Sequence, residues 1–194
     1  MKKQENQIEN DKHSKKENKE KSIVDFGFIA KLSLVAFIIS LSFSFLGETI
    51  IPNVHIAISF VLLIFFILLG ILFDVIGVSV TVADIKVFNS MAAKKVKGAS
   101  LAVKLIKNSD KVSSFLNDVI GDICGIVSGS TGATIAILTS KQFNINLLLV
   151  TLIMTAVVST LTIGGKAIGK SIAINKCDAI LYRFVKLLSI FYRG

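Results

Sequence analysis

The chain has 194 residues, 53% of them hydrophobic, and a formal net charge of +9, with a mean hydropathy of +0.73. Because a soluble domain is roughly 45–50% apolar even when glycine is counted, this composition indicates a membrane protein and not a soluble enzyme. Two cysteines are too few for a disulfide framework or a cysteine metal site, and no secretory signal with a cleavage site is recognisable.

The positive charge is distributed in a way that argues against nucleic-acid binding. Of 22 Lys and Arg residues, eight lie in residues 1–31, seven between residues 84 and 118 and six after Gly165, whereas Lys141 stands alone between two apolar runs. With four membrane spans, all of these charges except Lys141 fall on one side. The positive-inside rule then predicts a multi-pass cell-membrane protein whose termini and middle loop are cytoplasmic.

Residues 1–25 come first and mix lysine, glutamate and asparagine with very few apolar side chains. Such a segment cannot bury enough surface to offset the entropy of ordering, so we expect a disordered cytoplasmic tail. Residues 26–51 follow and contain a serine-rich apolar run, 32–46. We expect an additional N-terminal transmembrane helix here, with a helix lying at the membrane interface as the alternative.

Three longer apolar runs, 56–82, 119–138 and 145–165, predict three further spans. Between the first two, residues 84–117 place apolar side chains at helical spacing among lysines, with Gly98 as a break, which predicts a cytoplasmic helical hairpin. Residues 171–194 set an apolar stripe against Arg183, Lys186 and Arg193, as in a juxtamembrane helix that lies on lipid headgroups. The predicted fold class is therefore all-α, a polytopic membrane protein with about four transmembrane helices and cytoplasmic amphipathic helices.

Residues 164–171, GGKAIGKS, match the phosphate-loop pattern G-x-x-x-x-G-K-S. The pattern binds nucleotide only where a buried strand ends and a helix begins, and here it follows an apolar membrane run with no second acidic strand for magnesium. We therefore expect no nucleotide. The glycines are instead expected to break or kink the cytoplasmic end of the membrane helix, with Lys166 and Lys170 reaching headgroups.

Three acidic residues, Asp74, Asp118 and Asp122, fall inside or at the edge of the apolar runs. An acid at the centre of a membrane helix costs about 2.5–3.5 kcal/mol on insertion scales, so each of them requires a reason to be there. Asp118 and Asp122 are one helical turn apart, which favours a shared proton or a bound cation. Asp122 is expected to point into the helix bundle. Asp118 is equally well a ligand or a solvated residue at the helix end, and Asp74 is equally well a ligand or a group that hydrogen-bonds inside the bundle.

Small residues accompany these acids. Gly121, Gly125 and Gly129 recur every four residues, a spacing that lets membrane helices approach closely. Ser79 and Ser159 carry hydroxyls that are able to join carboxylates around a hard cation, although serine in a membrane helix more often bonds back to its own backbone.

The segments KGASLAVKLIKNSDKVSSFL and GGKAIGKSIAINKCDAILYRFVKLL, together with the order of spans, resemble the membrane domain of the cyclin M (CNNM) and CorB/CorC magnesium-transport family. The similarity covers roughly residues 56–190 and predicts a domain over 52–194. It implies a homodimer with three core membrane helices per subunit and a divalent-cation site, with Mg²⁺ as the bound or transported ion. The regulatory nucleotide-binding domains that usually follow in the family would have to come from a separate subunit.

The chain departs from the family where the cation ligand is expected. The family's Gly-Glu-x-x-Pro-Lys falls on residues 165–170, so that Lys166 replaces the glutamate and Gly169 the proline. The family's Gly-Asn falls on Gly121 and Asp122, which adds a negative charge, and Lys166 would then pair with Asp122 or Asp74. The resemblance implies a metal site at Asp122, supported by the following residues: Asp118, Asp74, Ser79 and Ser159.

Two functions follow from this reading. The leading one is an integral membrane protein that binds or transports magnesium or a similar divalent cation. The alternative is a non-transporting membrane scaffold or partner subunit whose intramembrane charges are structural. Neither requires covalent chemistry, and a Lys166 ammonium within ion-pair distance of Asp122 or Asp74 would favour the second.

Overall fold

The computed structural model describes residues 26–50 and 55–191, and every regular element in these ranges is a helix. The helices are, in chain order, α1 (Phe26–Ile50), α2 (Ile56–Val82), α3 (Ile85–Ala93), α4 (Ala99–Lys107), α5 (Ser109–Phe143), α6 (Leu147–Asn175) and α7 (Cys177–Phe191). The predicted disordered tail, residues 1–25, lies outside the described residues. The all-helical class is thus confirmed for the described part of the chain.

Three of these helices, α2, α5 and α6, are long and apolar enough to cross a membrane. The apolar part of α1, Ile29–Phe45, is shorter than the roughly 20 residues that a bilayer core requires. The predicted count of four spans is therefore supported for three helices, and the span in α1 remains a prediction.

The chain divides into two units, Met1–Val35 and Ala36–Gly194, with the boundary inside α1. In the first unit the described residues, 26–35, are helical. In the second unit, Phe43 on α1 contacts Phe66 on α2 edge to face, with ring centroids 6.1 Å apart.

Within the second unit, α2, α5 and α6 all pack against one another. Their shared apolar core is small and consists of four buried residues, Leu63, Ile67, Ile135 and Val158. Most other apolar side chains of these helices, including Leu68 and Leu152, point outward. A helix satisfies its own backbone hydrogen bonds, so an outer apolar surface of this kind suits a hydrocarbon solvent.

The short helices pack against the end of α2 that carries Val80 and Ala83. Asp84 caps α3 by accepting a hydrogen bond from the Lys86 backbone N–H at 2.8 Å, and Gly98 precedes α4 with φ of 86°, a left-handed conformation that favours glycine. A second core joins α2, α3, α4, α5 and α7 around the following buried residues: Ile76, Val80, Ala83, Phe88, Ala102, Leu116, Leu181 and Val185. The amphipathic segments are therefore docked onto the membrane helices by their apolar faces.

Helix α5 is not uniform along its length. Its residues Ser114–Gly121 form a π-helical segment between two α-helical parts, Ser109–Ser113 and Asp122–Phe143. Such wide turns are rare inside helices and are frequent at functional sites. The segment ends immediately before Asp122.

Candidate functional site

The polar site lies where α2, α5 and α6 meet, and glycines make room for it. A Cβ atom on Gly165 would overlap Ile71, and one on Gly169 would lie 2.7 Å from the Val75 side chain. Glycine on α6 therefore lets its backbone approach α2 more closely than any side chain would allow. The sequence between these glycines places Lys166 beside the contact.

The Lys166 ammonium lies between two carboxylates from the other two helices. Its Nζ is 3.8 Å from Oδ1 of Asp122 on α5 and 4.0 Å from Oδ1 of Asp74 on α2. Both distances exceed those of charge-assisted hydrogen bonds, so these contacts are ion pairs without a direct hydrogen bond. The three side chains nevertheless connect all three long apolar helices.

The two carboxylates differ in burial. The Asp74 side chain is 17% exposed, whereas that of Asp122 is 68% exposed. At about 4 Å two unit charges attract by about 1 kcal/mol in bulk water and about 4 kcal/mol at an effective dielectric constant of 20. The inner pair with Asp74 is therefore the one that the protein environment strengthens.

Asp122 differs from its predicted position. It was expected to point into the helix bundle, but its side chain lies at the edge and reaches Lys166 from outside. Asp118 is exposed as well. Its place at the end of the apolar run, in the π-helical segment, matches the solvated alternative more closely than a ligand role.

The two predicted serine ligands do not join the acids. Ser79 is buried, but its Oγ donates a hydrogen bond to the Val75 carbonyl at 2.7 Å. Ser159 lies in a groove of about 220 Å³ between α5 and α6 that is also lined by the glycine face of α5, Gly125, Gly129 and Gly132. Among the described residues, no group of three or more His, Cys, Asp or Glu side chains is arranged to hold a metal ion.

The glycine face of α5 does not make the close contacts that its spacing predicts. A Cβ atom on Gly125 or Gly129 would have no heavy atom within 4 Å, one on Gly121 would lie 3.6 Å from Lys166 Nζ, an ordinary contact, and one on Gly132 would lie 3.1 Å from the Val158 side chain. Helix α2 approaches α5 closely at a different residue, Cys124. A Cβ atom on Gly70 of α2 would lie 3.0 Å from Cβ of Cys124.

Asn117 is a polar residue of this region that sequence reasoning missed. Its side-chain amide occupies the space that a Cβ atom on Gly77 would need, and its Oδ1 is buried without a hydrogen-bond partner among the described residues. A signal existed in the sequence, because an asparagine between Leu116 and Val119 interrupts an apolar stretch. What the sequence could not give is the pairing with Gly77.

The phosphate-loop pattern adopts no loop. Residues 164–171 lie within the continuous helix Leu147–Asn175, so their backbone amides are used inside the helix and cannot cradle a phosphate. The glycines were expected to break or kink the helix, and the break does not occur. Gly165 and Gly169 serve the close contact with α2 described above.

In comparisons with protein-family models, curated proteins and solved structures, nothing matches the chain. The resemblance to the cyclin M and CorB/CorC family therefore rests on the sequence segments alone. The arguments on function that follow start from the geometry of the site.

Proposed function

We propose that this chain is a multi-pass membrane protein whose intramembrane charges are structural, and that it serves as a non-transporting scaffold or partner subunit. The observation that carries the proposal is the position of Lys166, whose Nζ lies 3.8 Å from Asp122 and 4.0 Å from Asp74. The ammonium stands where a bound cation would otherwise neutralise the two carboxylates.

Electrostatics argue against a divalent cation at this site while Lys166 occupies it. Mg²⁺ prefers near-octahedral coordination by oxygen and keeps several waters. An ion between Asp74 and Asp122 would lie within a few ångströms of the ammonium, and like charges at that separation repel, most strongly on the less exposed side of Asp74. Two carboxylates and one ammonium leave a net charge of −1, which is a weak driving force for a divalent ion.

Magnesium binding or transport is the second candidate, and one further observation favours it. Among the described residues, none donates a hydrogen bond to the buried Oδ1 of Asn117, and an uncommitted amide oxygen is a ligand that hard cations accept. Together with the family resemblance, this keeps Mg²⁺ as the ion to test, with Asp122, Asp118, Asp74, Ser79 and Ser159 as the residues to vary. Transport would require Lys166 to leave the space between the carboxylates.

The arrangement in the cell follows from the charge distribution and the resemblance. The proposed protein lies in the cell membrane with both termini in the cytoplasm, contacts lipid along its apolar outer surface, and forms a homodimer. Any nucleotide-dependent regulation comes from a separate subunit.

Flux measurements in proteoliposomes separate the two candidates. Vesicles that contain the purified full-length chain and a trapped magnesium indicator should take up Mg²⁺ no faster than protein-free vesicles. Lys166→Met should leave that rate unchanged. Mg²⁺ uptake by the unaltered protein that Asp74→Asn or Asp122→Asn abolishes would overturn the scaffold proposal and establish transport.

A further inference from the structure

A groove of about 400 Å³ lies between the spanning helix α2 and the amphipathic helix α7. Its walls include Leu72, Phe73 and Ile76 on α2 and Phe184 and Leu187 on α7, with Arg183 as the only charged residue that lines it. The volume falls in the range of about 300–1,000 Å³ that small-molecule sites occupy. The groove is therefore apolar and has one cationic side chain in its lining.

The groove is a built part of the fold, because α7 is fixed on α2 beside it. Leu181 and Val185 on α7 are fully buried against Val80 and other residues of the second core. Leu187, on the groove side of the same helix, is 62% exposed. One face of α7 thus anchors the helix, while another leaves an apolar surface open next to α2.

Arg183 has no anionic partner in the part of the chain that the structure describes. Neither ion pair of Lys166 includes it, and its guanidinium has no hydrogen bond or ion pair with any described residue. The nearest acid along α7, Asp178, accepts a hydrogen bond from the backbone N–H of Asp84 at 3.3 Å. A guanidinium is a strong, planar donor to phosphate oxygens, so an unpaired one beside an apolar groove favours an anion with an apolar tail.

We propose that this groove binds one anionic phospholipid, with an acyl chain between α2 and α7 and the headgroup phosphate on Arg183. The location supports this occupant over a peptide helix. Leu72 and Phe73 lie within α2, which is long and apolar enough to cross a membrane, so in the proposed arrangement hydrocarbon surrounds them. Helix α7 has the mixed basic and apolar surface of an interfacial helix. The proposal goes beyond the scaffold function and does not depend on it.

The chain contains no tryptophan, so a single introduced one reports on its own surroundings. Leu187→Trp places the indole at the groove, and Ile168→Trp places it on α6 as a control, since the two parent residues are 62% and 66% exposed. Lys166 and Lys170 flank Ile168, so this control measures how much quenching basic residues cause by attracting anionic lipid where no groove is present. Each variant is reconstituted in phosphatidylcholine and titrated with phosphatidylglycerol that carries brominated acyl chains, which quench tryptophan on contact.

The proposal predicts half-maximal quenching of Leu187→Trp at a lower mole fraction of brominated phosphatidylglycerol than for Ile168→Trp. The mole fraction should also be about fivefold lower than for Leu187→Trp combined with Arg183→Gln, the factor expected for one basic residue near an anionic lipid. Adding Arg183→Gln should remove the difference. Adding Lys186→Gln, an exposed basic residue of the same helix that does not line the groove, should preserve it.

Four results would overturn the proposal. Equal quenching at the two positions would mean that no site exists, and equal losses with Arg183→Gln and Lys186→Gln would reduce the effect to general attraction by a basic surface. Brominated phosphatidylcholine acting as well as phosphatidylglycerol would mean that the groove selects no headgroup. Soluble glycerol phosphate should not compete, and competition by it would assign the site to a free phosphate instead.

Discussion

Lys166 reaches both carboxylates because the residues around it are small. Gly165 and Gly169 bring α6 close to α2, and a Cβ atom on Gly121 of α5 would lie 3.6 Å from Lys166 Nζ. The lysine side chain therefore passes over a surface with few side chains before its ammonium meets Asp74 and Asp122. The site depends on the spacing of glycines as much as on its charges.

The unequal burial of the two acids predicts unequal costs of neutralising them. Asp74→Asn should lower the free energy of unfolding by about 1–2 kcal/mol, less than the roughly 3–5 kcal/mol of a fully buried broken pair because Lys166 keeps Asp122. Asp122→Asn should cost below about 1 kcal/mol, as for exposed pairs. Thermal unfolding in detergent shows which variant loses more stability. A larger loss of stability for Asp122→Asn than for Asp74→Asn would contradict the assignment of Asp74 as the inner partner.

A matched pair of glycine substitutions tests the contact between Gly77 and Asn117. Gly77→Ala should destabilise the protein, because the new methyl group would occupy the space of the Asn117 amide, and adding Asn117→Ala should recover part of the loss. Gly129→Ala meets no atom within 4 Å and should be neutral or stabilising by up to about 1 kcal/mol through helix propensity. The contact is refuted if both glycine variants have the same unfolding midpoint.

For single residues, the sequence predicts which side chains form the site better than it predicts how they are arranged. Charged residues in apolar runs are conspicuous, which is why Asp74, Asp122 and Lys166 are all recognisable as candidates in advance. Their burial depends on how the helices rotate about their axes, which no local pattern reports. The partner of Asn117 is equally hidden, since Gly77 is 40 residues away in the sequence.

At the scale of elements, hydrophobic runs predict the three long helices, because in a bilayer length and apolarity are sufficient to define a span. The break expected within GGKAIGKS does not occur, since the helix Leu147–Asn175 continues through it. Glycine lowers helix propensity, but Gly165 and Gly169 pack closely on α2, and tertiary packing supplies most of the stability of helices in proteins.

Docking of α7 on α2 gives a prediction at the element scale. Leu181→Ala should cost about 2–5 kcal/mol, because its fully buried side chain leaves a cavity in the second core. Leu187→Ala removes the same atoms from an exposed position of the same helix and should cost much less. Limited proteolysis of α7 in detergent measures the difference, and equal cleavage rates for the two variants would show that α7 is not docked through Leu181.

For the whole molecule, the distribution of basic residues predicts a topology that includes α1 as a span. In a background with Cys124→Ala and Cys177→Ala, single cysteines at Ser14 and Ser100 should react with an impermeant reagent from the same, cytoplasmic side, and one at Asn53 from the other. A cysteine at Ser14 that reacts from the side opposite to Ser100 would mean that α1 does not cross the membrane.

The most direct test of the central claim, that the Lys166 ammonium takes the place of a bound cation, is the effect of Mg²⁺ on thermal unfolding. The unaltered protein and Lys170→Gln should have the same midpoint in EDTA and in millimolar Mg²⁺. Lys166→Gln should unfold at lower temperature in EDTA and be stabilised by Mg²⁺, by about 1.4 kcal/mol at tenfold the dissociation constant. Stabilisation of the unaltered protein by Mg²⁺, or a Lys166→Gln variant that loses no stability in EDTA, would contradict the account.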